Sequence, residues 1–342
     1  MPTEVGTVKW YQFKIPVREA SKIVGNINDF KSIRFMRMFM KDFNEPVVLR
    51  FATLDLVRGE WRRYPSSAEL LEPDVYLTTS QINSKTFELS AVSIEENRER
   101  YPINYIEPPG IEREVNIGTT HLTQQNEQSL VIKVCELADG DAVAAYKTSE
   151  FDFRQFKRLK MYVHAEQSKQ NDVLKYGDMT IFIRLGSDFT QNYYEYEIPL
   201  TPTLWGESDA ELVWPESNAF DIDLEQLANV KLERNIAMRQ PGSPVTLSSP
   251  YYSYDGNNRI TVYGSPSLSD VKSMMIGVRN PKKTAVNPED DGENKCAEIW
   301  VNELRLTDFN KQTGWATTAI VSTNLADLGN VVVSWMYSSP WF

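Results

Sequence analysis

The sequence predicts a mainly β chain: an antiparallel sandwich of jelly-roll type, an N-terminal β-rich unit before it and a hairpin after it. Three observations predict this. From Gln128 onward, eight short strand-like runs, from SLVIKVCEL to EIWVNELRL, are separated by turn signals. Within them apolar and polar residues alternate. In RLKMYVHAE, Leu159, Met161, Val163 and Ala165 fall on one face and Lys160, Tyr162, His164 and Glu166 on the other, as a sheet with one wet side requires. After the closing strand come TTAIVST, a turn at ADLGN, and VVVSWMY.

The elements follow in order. VKWYQFKIPV (Val8 to Val17) alternates weakly and reads as a strand. Asp29 to Met40 is apolar on both parities, which predicts a strand covered on both sides or a short helix. Leu49 to Trp61 reads as a strand with Ala52, Leu54 and Leu56 inward. Val75 to Thr78 and Thr86 to Ile94 read as two more. The Pro-rich YPINYIEPPG continues neither a helix nor a central strand. These features set the expected divisions: a β-rich unit at 1–95, a linker at 96–127, the sandwich at 128–309 and a hairpin at 310–342.

Within the sandwich, TIFIRLG puts Ile181 and Ile183 on one side and Phe182 and Arg184 on the other. DLEQLANV (Asp223 to Val230) is the helix candidate, with Asp221 or Asp223 as N-cap and Leu224 and Leu227 inward. Near the end, Ile299 and Val301 share one parity and Leu304 and Leu306 the other. A β-bulge at Asn302–Glu303 would bring all four to the core. In the last run, Ala319 and Val321 oppose Thr318 and Ile320, and Val331 and Val333 oppose Val332 and Ser334. Trp315, Trp335 and Trp341 suit a membrane interface, with burial against the sandwich as the rival placement.

Composition narrows the function classes. The 342 residues are 41% hydrophobic, which is normal for a soluble fold, and no apolar run approaches a membrane helix. Strands of a barrel need only about ten alternating residues, so a barrel is not excluded. MPTEVGTVKWYQ has no apolar core of a signal peptide. The net charge of −11 argues against a nucleic-acid partner. Cys135 and Cys296 are able to pair, but their strand-like apolar settings favour buried free thiols.

No nucleophile–base pair, HExxH motif or phosphate-binding glycine loop is visible, so no catalytic residue and no cofactor is assigned. His121 lies in a polar loop and His164 on the wet face of a strand. Glu195 and Glu197, or Glu298 and Glu303, are the carboxylate pairs a glycosidase would need. Alternating with tyrosines on a strand, Glu195 and Glu197 read first as its solvent face. A sugar-stacking platform would draw on Trp205, Trp214, Tyr193, Tyr251, Tyr252 and Tyr254. Such rings are more often core, rim or inter-domain contacts. PEDDGEN, with Asp290 and Asp291, and YDGNN, with Asp255, are oxygen-rich loops that a hard cation could use, though ordinary turns read the same way.

A resemblance sharpens the reading. WVNELRLTDFN, GWATTA and LADLGNVVVS resemble the SprA/Sov family, the outer-membrane β-barrel translocons of the type IX secretion system. DFKSIRFMRMFM, LRFATLDLVRGEWRRY, the run from QSLVIKVCELADGD to FKRLKMYVHAE, and NYYEYEIPLTPTLWG match in collinear order. Chains of that family are several times longer, so the resemblance implies an internal piece. It implies a structural or gating segment in protein export and gliding motility of Bacteroidota-type bacteria, without enzymatic activity. It places the chain at the outer membrane of a Gram-negative bacterium, in the barrel lumen or the extracellular cap. The implied partners are other parts of the barrel, translocon accessory proteins and secreted cargo. The sandwich also resembles galactose-binding-like and carbohydrate-binding folds. The alternative function is therefore a carbohydrate-binding module of a secreted or cell-surface protein.

Overall fold

Among the described residues, twelve strands in two antiparallel sheets enclose one apolar core. The structure is a computed structural model. It describes residues 36–52, 60–72, 75–111, 113, 115–116, 123–124, 127–169, 173–285, 287–288, 290–309 and 316–338, with single residues at 11, 13, 15, 22 and 24. The chain divides into two compact units, Met1–Val57 and Arg58–Phe342.

Among its described residues the first unit has no strand or helix, and Met36, Met38, Phe39 and Met40 are exposed. At residues 36–40 and 49–52 this departs from the covered strand or short helix expected over Asp29 to Met40 and the strand expected over Leu49 to Trp61; residues 29–35 and 53–59 of those runs lie outside the described residues. A strand apolar on both parities needs cover on both faces, and the described part of this unit supplies none. Most of the predicted strand at Val8 to Val17 lies outside the described residues.

In the second unit the strands are β1 Arg62–Arg63, β2 Thr86–Ser93, β3 Val115–Asn116, β4 Thr123–Gln124, β5 Gln128–Leu137, β6 Ala142–Phe151, β7 Phe156–Gln167 and β8 Thr180–Gly186. They continue with β9 Tyr193–Pro199, β10 Phe220–Asp223, β11 Tyr251–Asp255, β12 Asn258–Tyr263, β13 Val271–Arg279, β14 Lys295–Phe309, β15 Ala316–Leu325 and β16 Gly329–Ser338. The helices are α1 Thr79–Ser84, α2 Ile94–Asn97, α3 Ala210–Val213 and α4 Leu224–Met238. One sheet runs β1-β6-β13-β8-β9-β12-β11 and the other β10-β7-β14-β5-β2. All eight runs predicted from Gln128 onward form strands, and their inward residues Met161, Val163, Ile181, Ile183, Ile299 and Val301 are buried. Among the described residues no helix is long and apolar enough to cross a membrane, which says nothing of strands.

The expected divisions shift. β1 pairs with β6 and β2 with β5, so the sandwich draws strands from before residue 128. Val75 to Thr78 is extended but joins no sheet; Thr78 instead caps α1, accepting from Gln81 N at 3.3 Å. The segment read as a linker carries Ile103 and Tyr105, both fully buried. It lies on the outer face of the five-stranded sheet, against Val131 and Trp300, with Val213 and Trp214 completing a second core. A third cluster, with Leu70, Phe182 and Met275, covers the other sheet. Both faces of both sheets therefore carry buried side chains.

Local signals behave as the residues dictate. Asp223 caps α4, accepting from Glu225 N at 2.9 Å, and Leu224 and Leu227 are buried. The helix runs two turns beyond Val230 because buried Arg234 donates to Gly264 O at 2.6 Å. That anchor is invisible to an apolar period. In β14 the register against β7 shifts between Asn302 and Arg305, with Glu303 at φ 53°. This is the predicted bulge, and Leu304 and Leu306 pack against the core beyond it. YDGNN is the hairpin turn of β11 and β12, with Gly256 at φ 61°.

The cysteines are not free: Cys135 and Cys296 form a disulfide between β5 and β14. The register between these strands shifts between Lys295 and Ala297, and Glu136 beside Cys135 has φ 56°. This irregularity brings together two side chains that their separate strands had suggested were inert.

β15 and β16 pair over ten residues each. Thr317, Ala319, Val321 and Thr323 face Tyr337, Trp335, Val333 and Val331 on one side. Thr318, Ile320, Ser322 and Asn324 face Met336, Ser334, Val332 and Asn330 on the other. Val321, Val333 and Trp335 are each more than half exposed. Trp315 and Trp341 lie outside the described residues.

Candidate functional site

Among the described residues, a dense network of buried charge sits on the outer face of the seven-stranded sheet. Strand periodicity builds it: Arg184, Glu195, Glu197, Arg259, Thr261 and Arg279 alternate with core residues on four adjacent strands. Arg184 stands opposite Glu195 and Arg259 opposite Glu197. Arg184 donates to Glu195 Oε2 from Nε at 2.8 Å and from Nη2 at 2.6 Å. Arg279 reaches both carboxylates, with Nη2 3.5 Å from Glu195 Oε1 and Nη1 2.5 Å from Glu197 Oε2. Thr180 donates to Glu197 Oε1 at 2.5 Å. Arg259 pairs with Glu197 and with Glu72, which comes from the covering segment after β1.

Arg184, Arg279, Glu195 and Glu197 are out of water, with Arg259 and Glu72 partly exposed at the edge, so the buried charges are strongly coupled. Glu195 is 3% exposed and Glu197 5%. This corrects the reading of both as a solvent face. Burial alone would raise the Glu197 carboxyl, but Arg279 and Arg259 outweigh it and hold it at about 2. Burial likewise opposes the charge on Arg279, and Glu197 and Glu195 hold it above its usual value. Burial pushes Tyr193 and Tyr252 up to about 12.

A cleft of about 540 Å³ opens over this network, lined by Arg184, Glu195, Thr261, Tyr193, Tyr252 and Tyr263 among others. The tyrosine faces are already engaged: Arg184 lies 3.9 Å from the Tyr193 ring centroid and Arg259 5.4 Å from that of Tyr252. Tyr193 also stacks on Tyr263, with centroids 5.6 Å apart.

The remaining predicted site residues scatter. Trp214 is buried on the other sheet, donating to Ile106 O at 2.8 Å, and Trp205 donates to Gln167 O at 3.1 Å. The structure therefore brings Tyr193 and Tyr252 together and leaves both tryptophans elsewhere. Tyr251 packs against the core and Tyr254 is exposed. Asp255 accepts from the Tyr196 hydroxyl at 2.9 Å. Asp290 accepts from Gly292 N, and Asp291 pairs with Lys295 at 2.6 Å. Among the described residues these aspartates join no cluster of three ligating groups.

His164 is fully buried, not on a wet face. Its Nδ1 is 2.7 Å from Val213 O, and its ring lies 4.1 Å from Trp300. The outer face of β7 looked polar because its cover comes from chain far away. Glu298 is held by Arg100 at 2.6 Å and by Lys133, whereas Glu303 sits in the bulge. His121 lies outside the described residues. Sequence reasoning passed over Arg259, Arg279 and Glu72. Parity put Arg184 outward, and only the strand order supplies its partners.

A search of curated proteins finds no match. The SprA_N family model, described as motility related/secretion protein, matches residues 2–342. Because that match spans nearly the whole sequence, the chain belongs to the SprA_N family of motility related/secretion proteins.

Proposed function

We propose that this chain is a non-enzymatic structural segment of an outer-membrane secretion translocon, a jelly-roll sandwich that continues into strands of the membrane barrel. The observation that carries this reading is the hairpin β15–β16. Each strand has ten residues, and barrel strands need about 9–11. One face presents Val321, Val333, Val331, Ala319 and Trp335, and the other mixes Ser322, Ser334, Asn324 and Asn330 with apolar residues. Trp335 and Tyr337 stack at one end, centroids 6.1 Å apart, as rings of an interfacial girdle do.

Other features support the same reading. A disulfide suits an oxidising, extracytoplasmic compartment. Glu195 and Glu197 are bound by arginines and so are poorly placed for proton transfer. The sandwich then works by shape and rigidity, as a cap or lumen element that narrows or lines the pore beside accessory proteins and passing cargo.

The test uses the whole chain mixed with phosphatidylcholine vesicles by detergent dilution and followed by flotation. The chain floats with the vesicles, Val333→Asp abolishes flotation, and Ser334→Asp on the other face retains it. Absence of flotation, or flotation that survives Val333→Asp, overturns the membrane reading.

A further inference from the structure

The cleft over the arginine–glutamate network has features that the structural role leaves unused. Its charges balance: Arg184, Arg259 and Arg279 meet Glu195, Glu197 and Glu72. The rim carboxylate Glu69 is engaged by the Tyr64 hydroxyl. An ionic ligand would unbalance the set at the desolvation cost of a buried charge. Thr261 lines the cleft, is 3% exposed, and its Oγ1 has no hydrogen-bond partner. Arg259 Nε and Arg279 Nε are also without one. Unsatisfied buried polar groups are costly and call for an explanation. One wall is aliphatic, with Leu71, Val75 and Ile82. Another is bordered by β11, through Tyr252. β11 ends its sheet, so no strand among the described residues pairs with its outer side.

A saccharide would need free aromatic faces, and here arginines lie over Tyr193 and Tyr252. An extended peptide fits better. Its backbone is uncharged and both donates and accepts, its strand geometry matches an open sheet edge, and an aliphatic side chain meets the wall. We propose that this cleft and the outer edge of β11 take an uncharged, extended peptide segment of a partner protein, seating one aliphatic side chain against Ile82 and hydrogen-bonding Thr261. The proposal is independent of the membrane reading, because the cleft belongs to the sandwich.

The experiment measures backbone hydrogen exchange of the full chain with the capped peptide Ac-Thr-Val-Leu-Val-Thr-NH2, and in parallel with maltotetraose and chitotetraose. The peptide slows exchange at residues 251–255, Ile82→Arg abolishes the effect, and Thr261→Val weakens binding about tenfold. Thr261→Val preserves side-chain volume, so it decides the matter even if Ile82→Arg unfolds the chain. No protection at 251–255, protection indifferent to Thr261→Val, or protection by an oligosaccharide and not by the peptide overturns the proposal.

Discussion

Arg184 grips Glu195 with two nitrogens on one carboxylate oxygen, at 2.8 and 2.6 Å, from directly opposite positions on neighbouring strands, and both side chains are out of water. A pair of this kind costs much to desolvate and more to break. Removing one partner strands the other. Glu195→Gln should lower unfolding free energy by about 3–5 kcal/mol, whereas the double change Arg184→Met/Glu195→Leu should cost less than Glu195→Gln alone. Urea unfolding of the three proteins checks this; a double mutant at least as damaged as the single would refute it.

Acid should weaken the same network. Glu197 is held at about 2 in the folded chain, below its ordinary 4.5. A depressed carboxylate contributes stability above its unfolded value and loses it as pH falls through the folded one. The unfolding midpoint should therefore drop between pH 4.5 and 2, less steeply in Glu197→Gln. At the other end, burial holds Tyr193, Tyr194 and Tyr196 at about 12 against an ordinary 10. Their contribution is complete below pH 10 and is lost as pH rises through 12. Denaturant midpoints across both windows measure the slopes.

The disulfide joins residues separated by 161 positions, so it restricts a long loop of the unfolded chain. Reduction, or the double substitution Cys135→Ala/Cys296→Ala, should cost about 2–5 kcal/mol. Equal denaturation midpoints with and without reductant would contradict this.

Gly277 occupies the middle of β13, where a Cβ would stand 2.2 Å from the Phe182 ring. Gly277→Ala should destabilise by about 1–3 kcal/mol through overpacking. Adding Phe182→Leu should recover part of the loss, as read by thermal unfolding.

The hairpin should be separable. Deleting residues 312–342 should leave the melting temperature of the sandwich within about 2 °C and raise solubility. A deletion that unfolds the sandwich would mean the ribbon belongs to its core.

What the sequence determined is what neighbouring residues report. Alternation located the strands of the sandwich and the inward set around Ile181, Met161 and Ile299. Asp221 or Asp223 marked the helix start, with the structure choosing Asp223, Asn302–Glu303 marked the bulge, and ADLGN the turn into β16. What only the tertiary structure decided is what covers the second face of each sheet. The period-2 pattern marks Glu195, Glu197 and His164 as outward, and outward normally means wet. Here residues 64–72 and 94–109 lie over those faces, and their Pro-rich and polar composition resembles linker. The ion pairs that make such burial tolerable join residues as distant as Arg100 and Glu298, 198 positions apart. The disulfide likewise depends on a shifted register between strands far apart in sequence. Parity along a strand is local, but the partner of a buried charge is set by which strands become neighbours, and only folding fixes that order.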